Sequence, residues 1–319
     1  MKYVLLGRTG TRVSRICLGT AFRGQWDDSV CRKVIDRSLD IGINFIDTSN
    51  VYGENRIGHA EKIIGEAVKD KRDQVVIATK IYHPVGDGVN DYGLGRVHLM
   101  REIDNCLKRL QTDCVDVLYL HEPDSQTPLE VSLSAADAIV RQGKARHIGL
   151  SRYSAWKVEK ALGIAKKRGF DDVAVLQDRY NLIYREAEME LLPFLSDSGM
   201  ALTVCCPLAI GLLTGCFRYG KNPSPETLWG SGYKGFQNLM TEQTDRVVQE
   251  LEKIGKEHCR TTAQTALAWL LAHAEVTSVV IGPDNLEQLE ENARGDFDLS
   301  PDEMKKLNDL SAPMWAKHY

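Results

Sequence analysis

Eight times along this chain a short run of β-branched and aliphatic residues is followed by a stretch with helical spacing. No other feature of the sequence restricts the fold as strongly. The runs fall at 16–20, 43–48, 75–80, 115–121, 146–151, 173–178, 201–206 and 277–281. Helical spacing follows at about 28–41, 57–69, 96–111, 128–143, 154–168 and 185–198, then at 241–258 with 262–273 beyond a long loop, and at 285–292. Runs such as Val75-Val76-Ile77-Ala78-Thr79 are apolar almost throughout. Strands of that kind are covered on both faces, as in a parallel sheet under helices. Eight such units predict an α/β fold, a closed (β/α)₈ TIM barrel forming one domain over 1–319. An open doubly wound sheet would need a Gly-x-Gly-x-x-Gly phosphate turn after an early strand, and the chain has none. A hairpin (Tyr3 to Leu6, then Arg12 to Arg15) precedes the repeats as a plug, and Ser300-Pro301-Asp302-Glu303 opens a C-terminal extra helix with a capping box.

Composition excludes several function classes. The net charge of −4 is spread without long like-charge blocks, so nucleic acid and anionic membrane are not expected partners. The apolar N-terminal run is too short for a signal peptide, and no stretch of about 18 apolar residues occurs. A cytoplasmic location and a small-molecule substrate are the expectation. The cysteines at 17, 31, 106, 114, 205, 206, 216 and 259 show no Cys-x-x-Cys spacing, so they read as reduced thiols and no metal is expected.

Three of the predicted strands end on titratable residues: Asp47, Lys80 and His121, with Tyr52 on the loop after the first. Taken singly, such residues serve often enough as a turn cap, a solvated strand end or a core histidine. A parallel barrel, however, brings all three to the C-terminal rim, where barrel active sites are built. A free tyrosine, with a pKa of about 10, donates protons poorly at neutral pH, and a cation beside its oxygen corrects this by stabilising phenolate. Lys80 is placed to supply that cation, Asp47 to keep it charged, and His121 to donate to a carbonyl from the other side.

The chain resembles the aldo-keto reductases along essentially its whole length. The resemblance rests on Gly-Ile-Asn-Phe-Ile-Asp-Thr-Ser-Asn-Val-Tyr-Gly from Gly42, Ile-Ala-Thr-Lys to Lys80, Leu-Tyr-Leu-His to His121 and Gln-Asp-Arg-Tyr-Asn-Leu from Gln177. It continues in Cys-Pro-Leu-Ala-Ile-Gly-Leu-Leu-Thr-Gly from Cys206 and Ile-Gly-Pro-Asp-Asn-Leu-Glu-Gln-Leu-Glu-Glu-Asn from Ile281. Each segment is weak alone; six in order are specific. The resemblance implies hydride transfer between nicotinamide and a carbonyl or alcohol, as in reductases of an aldehyde, ketone or sugar. It makes Tyr52 the proton donor, Lys80 and Asp47 its tuning pair, and His121 the group that orients the carbonyl.

It further implies cofactor contacts from Thr20, Ala21 and Asp47, from Ser151, Arg152 and Gln177 around the carboxamide, and from Cys205, Cys206, Pro207, Leu208 and Ile210 along the ribose and pyrophosphate. Gly282, Asp284, Gln288, Glu291 and Asn292 would surround the adenosine, with the helix at 285–292 turning its N-terminus to the phosphates. Cys205 stands where many members stack an aromatic ring on the nicotinamide. Arg152 stands where Asn is common, a likeness to the potassium-channel β-subunit branch, which itself tends to lack the His found here as His121. Asp284, Cys216 and Gly230 replace residues that hold the 2′-phosphate of NADP. Family habit favours NADP(H) and these residues NAD(H), so the two stand even, and Asp284-x-x-Glu287 is equally readable as a helix capping box.

Phe22, Trp26, Tyr82, Tyr92, Tyr153, Trp229 and Trp315 are candidate walls of an aromatic substrate mouth. The long loops 83–95 and 216–240 follow strand C-termini, and the tail from Pro313 is placed to fold over the same opening. Two other functions compete. One is a cofactor-binding regulatory subunit like the channel β subunits, disfavoured by the intact catalytic four and by the lack of an extension before the barrel. The other is a Schiff-base aldolase on Lys80, disfavoured because Asp47 would keep the amine protonated. The sequence leaves substrate identity and oligomeric state open.

Overall fold

A computed structural model describes residues 1–22, 27–53 and 56–313. Eight parallel strands close into a barrel: β3 (Ile16–Gly19), β4 (Phe45–Asp47), β5 (Val76–Ile81), β6 (Val115–Leu120), β7 (Ala145–Ser151), β8 (Val173–Arg179), β9 (Ala201–Cys205) and β10 (Val276–Ile281), with β10 bonded back to β3. The expected (β/α)₈ architecture is therefore borne out. The N-terminal hairpin of β1 (Tyr3–Leu5) and β2 (Arg12–Ser14) is antiparallel and carries Leu6 and Val13 into the barrel interior among Cys17, Phe45, Val76, Val117, Val175 and Ala201.

The layers inside the barrel follow from strand alternation. Residues two apart point to the same side of a sheet, so Val76, Ala78 and Lys80 share the inward face of β5 while Ile77 and Ile81 pack outward with the helices. The same alternation sets Asp47 above Phe45, Tyr119 above Val117, Gln177 above Val175 and Thr203 above Ala201. The lower layer of the interior is apolar, and the layer toward the strand C-termini is polar yet buried. The register carries this layer across the sheet, pairing Gly19 with Asp47, Lys80 with Tyr119, Ser151 with Gln177 and Gln177 with Thr203.

The surrounding helices are α1 (Asp28–Asp40), α2 (His59–Val68), α3 (Arg96–Leu110), α4 (Leu129–Arg141), α5 (Ala155–Arg168), α6 (Leu191–Ser198), the short α7 (Phe236–Leu239), α8 (Glu242–Glu257), α9 (Thr262–Leu271), α10 (Leu286–Asn292) and α11 (Pro301–Leu310). Their starts are set by side-chain caps in several places. Asp27 accepts from Ser29 and Val30, Thr241 caps α8, Thr261 and Gln264 form a capping box on α9, and Ser300 and Glu303 form the expected one on α11.

Two expectations need correction. The helix read over 185–198 divides into a 3₁₀ turn, Glu186–Glu188, and α6 from Leu191. A continuous helix would place Pro193 in its interior, where it has no N–H to donate and its ring strikes the preceding turn; starting at Leu191 puts the proline in the first turn, where neither matters. The cap of α10 is Asn285, whose side chain accepts from the Gln288 N–H, and not Asp284; the Asp284 N–H instead donates to Gln288 Oε1 at 2.9 Å.

Candidate active site

Asp47, Lys80 and His121 converge at the C-terminal end of the barrel from three adjacent strands. Lys80 is fully buried, and its Nζ donates to Asp47 Oδ1 at 2.5 Å and to the Thr48 carbonyl at 2.8 Å. The second Asp47 oxygen accepts from Gln177 Nε2 at 2.7 Å, and Gln177 also reaches Thr203 Oγ1, which meets the Tyr119 hydroxyl at 3.0 Å. Burial alone would favour the neutral amine of Lys80. The carboxylate of Asp47 outweighs it, helped by the interaction with Tyr52, and holds the lysine above its ordinary value.

The Lys80 ammonium lies 5.1 Å from the centroid of the Tyr52 ring. Tyr52 is held by a turn in which its N–H donates to the Ser49 carbonyl and its carbonyl accepts from Ala60. Gly53 follows with φ of 145°, and a Cβ there would sit 2.1 Å from the Arg56 carbonyl oxygen. The Tyr52 turn therefore needs glycine at this position.

The His121 ring stands edge-on to Tyr52, with centroids 6.2 Å apart, and to His83 at 4.8 Å. Burial first, then the positive charge of Lys80, of His83 when it is protonated and of Arg152, pushes its pKa down to about 2. The imidazole is neutral at any working pH. Its Nδ1 is 3.3 Å from Ser49 Oγ. In the tautomer where Ser49 donates to Nδ1, Nε2 carries the proton and serves as a donor.

Apart from Asp47 on β4 and Gln288, Glu291 and Asn292 on α10, the residues singled out for a cofactor lie toward or just beyond the C-terminal ends of β3, β7, β8, β9 and β10. Thr20 donates from both N–H and Oγ1 to the Asp47 carbonyl. Ser151 ends β7 and is buried; Arg152 follows with φ of 61° and pairs with Glu122 at 2.6 Å. After β9 the chain turns through left-handed conformations at Cys206, Ala209 and Ile210, all non-glycine. Such a run is costly and persists at sites where backbone must face a ligand. Next to Asp47, Thr48 Oγ1 and Asn50 Nδ2 are buried without a hydrogen-bond partner. The Cys205 thiol is pushed up by its hydrogen bond with Cys206 and by burial. Ala21, Pro207, Leu208 and Gly282 stand in the same strand-end loops, while Glu291 belongs to α10 and Asn292 is buried at the end of that helix. A side chain at Gly230 would overlap the Ser224 carbonyl.

Of the aromatic residues expected at the substrate mouth, Tyr82 stands near both Tyr92 and Tyr153. Tyr153 is buried beside Asp124, Trp229 is buried with its indole N–H on the Ile210 carbonyl, and Phe22 is buried three residues after β3. Tyr82 stacks edge-on against His83, and Tyr92 bonds Gln126 on the exposed loop. Trp26 and Trp315 lie outside the described residues, as does the tail beyond Pro313.

Sequence reasoning did not find Thr203, Tyr119, Ser49, His83 or Glu122. Inward alternation along β6 and β9 marks Tyr119 and Thr203. It also missed Glu61, buried in α2 and bonded to Thr79 at 2.6 Å and to Arg109, which joins Glu102. Its signal is a carboxylate among the apolar positions Ala60, Ile63 and Ile64. Among the described residues no group of His, Cys, Asp or Glu has the geometry to hold a metal ion, and no helix is long and apolar enough to cross a membrane.

Residues 15–312 match the model of the Aldo/keto reductase family. The chain is 37% identical over 320 residues to the protein named Uncharacterized oxidoreductase YrpG of Bacillus subtilis (strain 168), covering 97% of this chain and 96% of that one. It is 36% identical over 301 residues to proteins of Oryza sativa subsp. japonica and of Arabidopsis thaliana, each named Probable voltage-gated potassium channel subunit beta, covering 92% of this chain and 90% of each of theirs.

Proposed function

The chain belongs to the aldo/keto reductase family, and on that premise we propose that it is a reductase of aldehydes, ketones or sugars that uses NADH or NADPH, with Tyr52 as proton donor. One observation carries the proposal: a fully buried lysine, held charged by Asp47, sits 5.1 Å from the ring of a tyrosine at the rim of the barrel. An anionic Tyr52 raises Lys80, so by reciprocity the Lys80 ammonium stabilises phenolate. Neutral His121 is suited to donate to a carbonyl oxygen without competing as a second acid.

The residues present fit a nicotinamide dinucleotide. The buried hydroxyl of Thr48 and amide nitrogen of Asn50 have no protein partner, and the backbone after β9 is left-handed at Cys206, Ala209 and Ile210. When bound, the dinucleotide supplies a hydride to the carbonyl carbon. Tyr52 passes its proton to the carbonyl oxygen, Lys80 holds the resulting phenolate, and Gln177 with Thr48 keeps the Lys80–Asp47 pair in place. Proton donation of this kind is worth about 10² to 10⁴ in rate.

The test is oxidation of NADH or NADPH by the purified protein with 4-nitrobenzaldehyde. Turnover by wild type and its loss in Tyr52→Phe support the proposal; no turnover with either cofactor, or full turnover in the variant, sinks it. The likeness to proteins named as channel β subunits favours a second reading, a cofactor-binding regulatory subunit. Cofactor binding without turnover, together with a stoichiometric membrane partner on co-purification, would put that reading first.

A further inference from the structure

A cavity of about 250 Å³ lies beside the catalytic rim, where the loops after β6 and β7 meet the N-termini of α4 and α5. Pro123 and Tyr153 in its wall directly follow Glu122 and Arg152, yet Asp47, Tyr52, Lys80 and His121 do not line it. Its floor is apolar, formed by Leu94, Leu129 and the buried Tyr153. Its rim carries the exposed ring of Trp156 and the ammonium groups of Lys157 and Lys160.

Several features of this cavity call for a polar ligand. Ser132 lines it and is 1% exposed, and the buried Ser132 hydroxyl has no hydrogen-bond partner. A lost hydrogen bond in such a place is costly unless something else supplies it. Neither helix start is capped by a side chain: Pro128 precedes α4, and Ser154, although in capping geometry before α5, accepts nothing from the helix. Both ends therefore offer backbone N–H groups to an anion. Among the described residues Lys157 and Lys160 take part in no ion pair, although Lys157 lies over the Trp156 ring at 5.5 Å. The one carboxylate in the wall, Asp124, is committed. Burial pushes its pKa up, but the N–H groups of Leu94, Gln126 and Thr127 outweigh that and keep it ionised. Two ammonium groups at the rim thus outnumber one satisfied carboxylate.

We propose that this cavity is a second ligand site, for a small aryl carboxylate with a hydroxyl at its far end. The ring lies on the Leu94, Leu129 and Tyr153 floor, the carboxylate meets Lys157 and Lys160, and the hydroxyl bonds Ser132. A ligand polar at both ends and apolar between matches a pocket that is cationic at its rim, apolar along its walls and holds an unpartnered hydroxyl within. The site stands independently of the reductase chemistry, because its readout is binding.

The experiment is isothermal titration of the full chain with 4-hydroxyphenylacetate, compared with phenylacetate, which lacks the hydroxyl, and 4-(2-hydroxyethyl)phenol, which lacks the carboxylate. Wild type is expected to bind the first saturably and each analogue more weakly. Lys157→Gln with Lys160→Gln should weaken 4-hydroxyphenylacetate about tenfold or more. Ser132→Ala, which keeps a strong helix former in α4, should erase the preference over phenylacetate. Tyr52→Phe should bind as wild type does, and unfolding midpoints should show all variants folded. Absence of saturable binding, wild-type affinity in both the lysine and serine variants, or loss of binding in Tyr52→Phe alone would overturn the proposal.

Discussion

Replacing Asp47 by Asn tests the pair on which the site is built. In the wild type Lys80 is fully buried and its ammonium is held by the Asp47 carboxylate at 2.5 Å, which keeps its pKa above the ordinary lysine value. A raised lysine contributes stability that is fully present below the unfolded value and is lost only as pH rises through the raised one. Lys80 therefore adds no pH dependence to the wild type between pH 7 and 9. In Asp47→Asn the burial that favours the neutral amine is no longer offset, and the folded value drops below the unfolded one. Leaving a buried charge without its partner costs about 3–5 kcal/mol. The protein has an alternative, which is to deprotonate Lys80. From an unfolded value of about 10.4, at about 1.36 kcal/mol per pH unit, that costs about 4.6 kcal/mol at pH 7 and about 1.9 kcal/mol at pH 9. The destabilisation should thus be about 3–4.6 kcal/mol at pH 7 and no more than about 2 kcal/mol at pH 9. Urea unfolding of wild type and variant at both pH values measures it. A cost below about 1 kcal/mol at pH 7, the range of exposed pairs, or equal costs at the two pH values, would refute the reasoning.

Two further outcomes follow from the same layer of the barrel. His121 is neutral in the fold and charges on unfolding, so its contribution is present above about pH 6.5 and is lost as pH falls toward the folded value of about 2; in His121→Gln the stability lost between pH 7 and 4.5 should shrink by up to about 2.7 kcal/mol, and an unchanged loss in urea midpoints would contradict this. At Gly149 a Cβ would lie 2.5 Å from the fully buried Tyr119 ring, so Gly149→Ala should lower stability by about 1–3 kcal/mol through overpacking, and a thermal midpoint equal to wild type would contradict it.

The barrel was legible because its strands are apolar almost throughout and each is followed by a helix-length amphipathic segment. Titratable residues at the ends of adjacent strands pointed to the rim for the same reason, since a parallel barrel collects strand C-termini on one face. Where the sequence misled, local chemistry had competing solutions. Asp284 and Asn285 both precede α10 as plausible caps, and only backbone geometry selects Asn285. Pro193 is compatible with a helix only near its start, which moved α6 downstream. The contacts of Tyr119, Thr203 and Gln177 join β6, β8 and β9 across the barrel interior, and no spacing along the chain encodes such a meeting. The surroundings of the aromatic residues were not legible either: Tyr153 is buried near Asp124 and Tyr82, while Trp229 gives its indole N–H to the Ile210 carbonyl.

Direct transfer of hydride to a carbonyl is the central claim, and isotopic labelling tests it most directly. The protein is incubated with 4-nitrobenzaldehyde and either NADH or NADPH carrying deuterium on C4 in the transferred position, each face labelled in turn, and the alcohol product is read by mass spectrometry. The account predicts deuterium on the former carbonyl carbon with one of the labelled faces, and loss of product in Tyr52→Phe while cofactor still binds. Alcohol without deuterium from either face, or no alcohol with either cofactor although both bind, would contradict it.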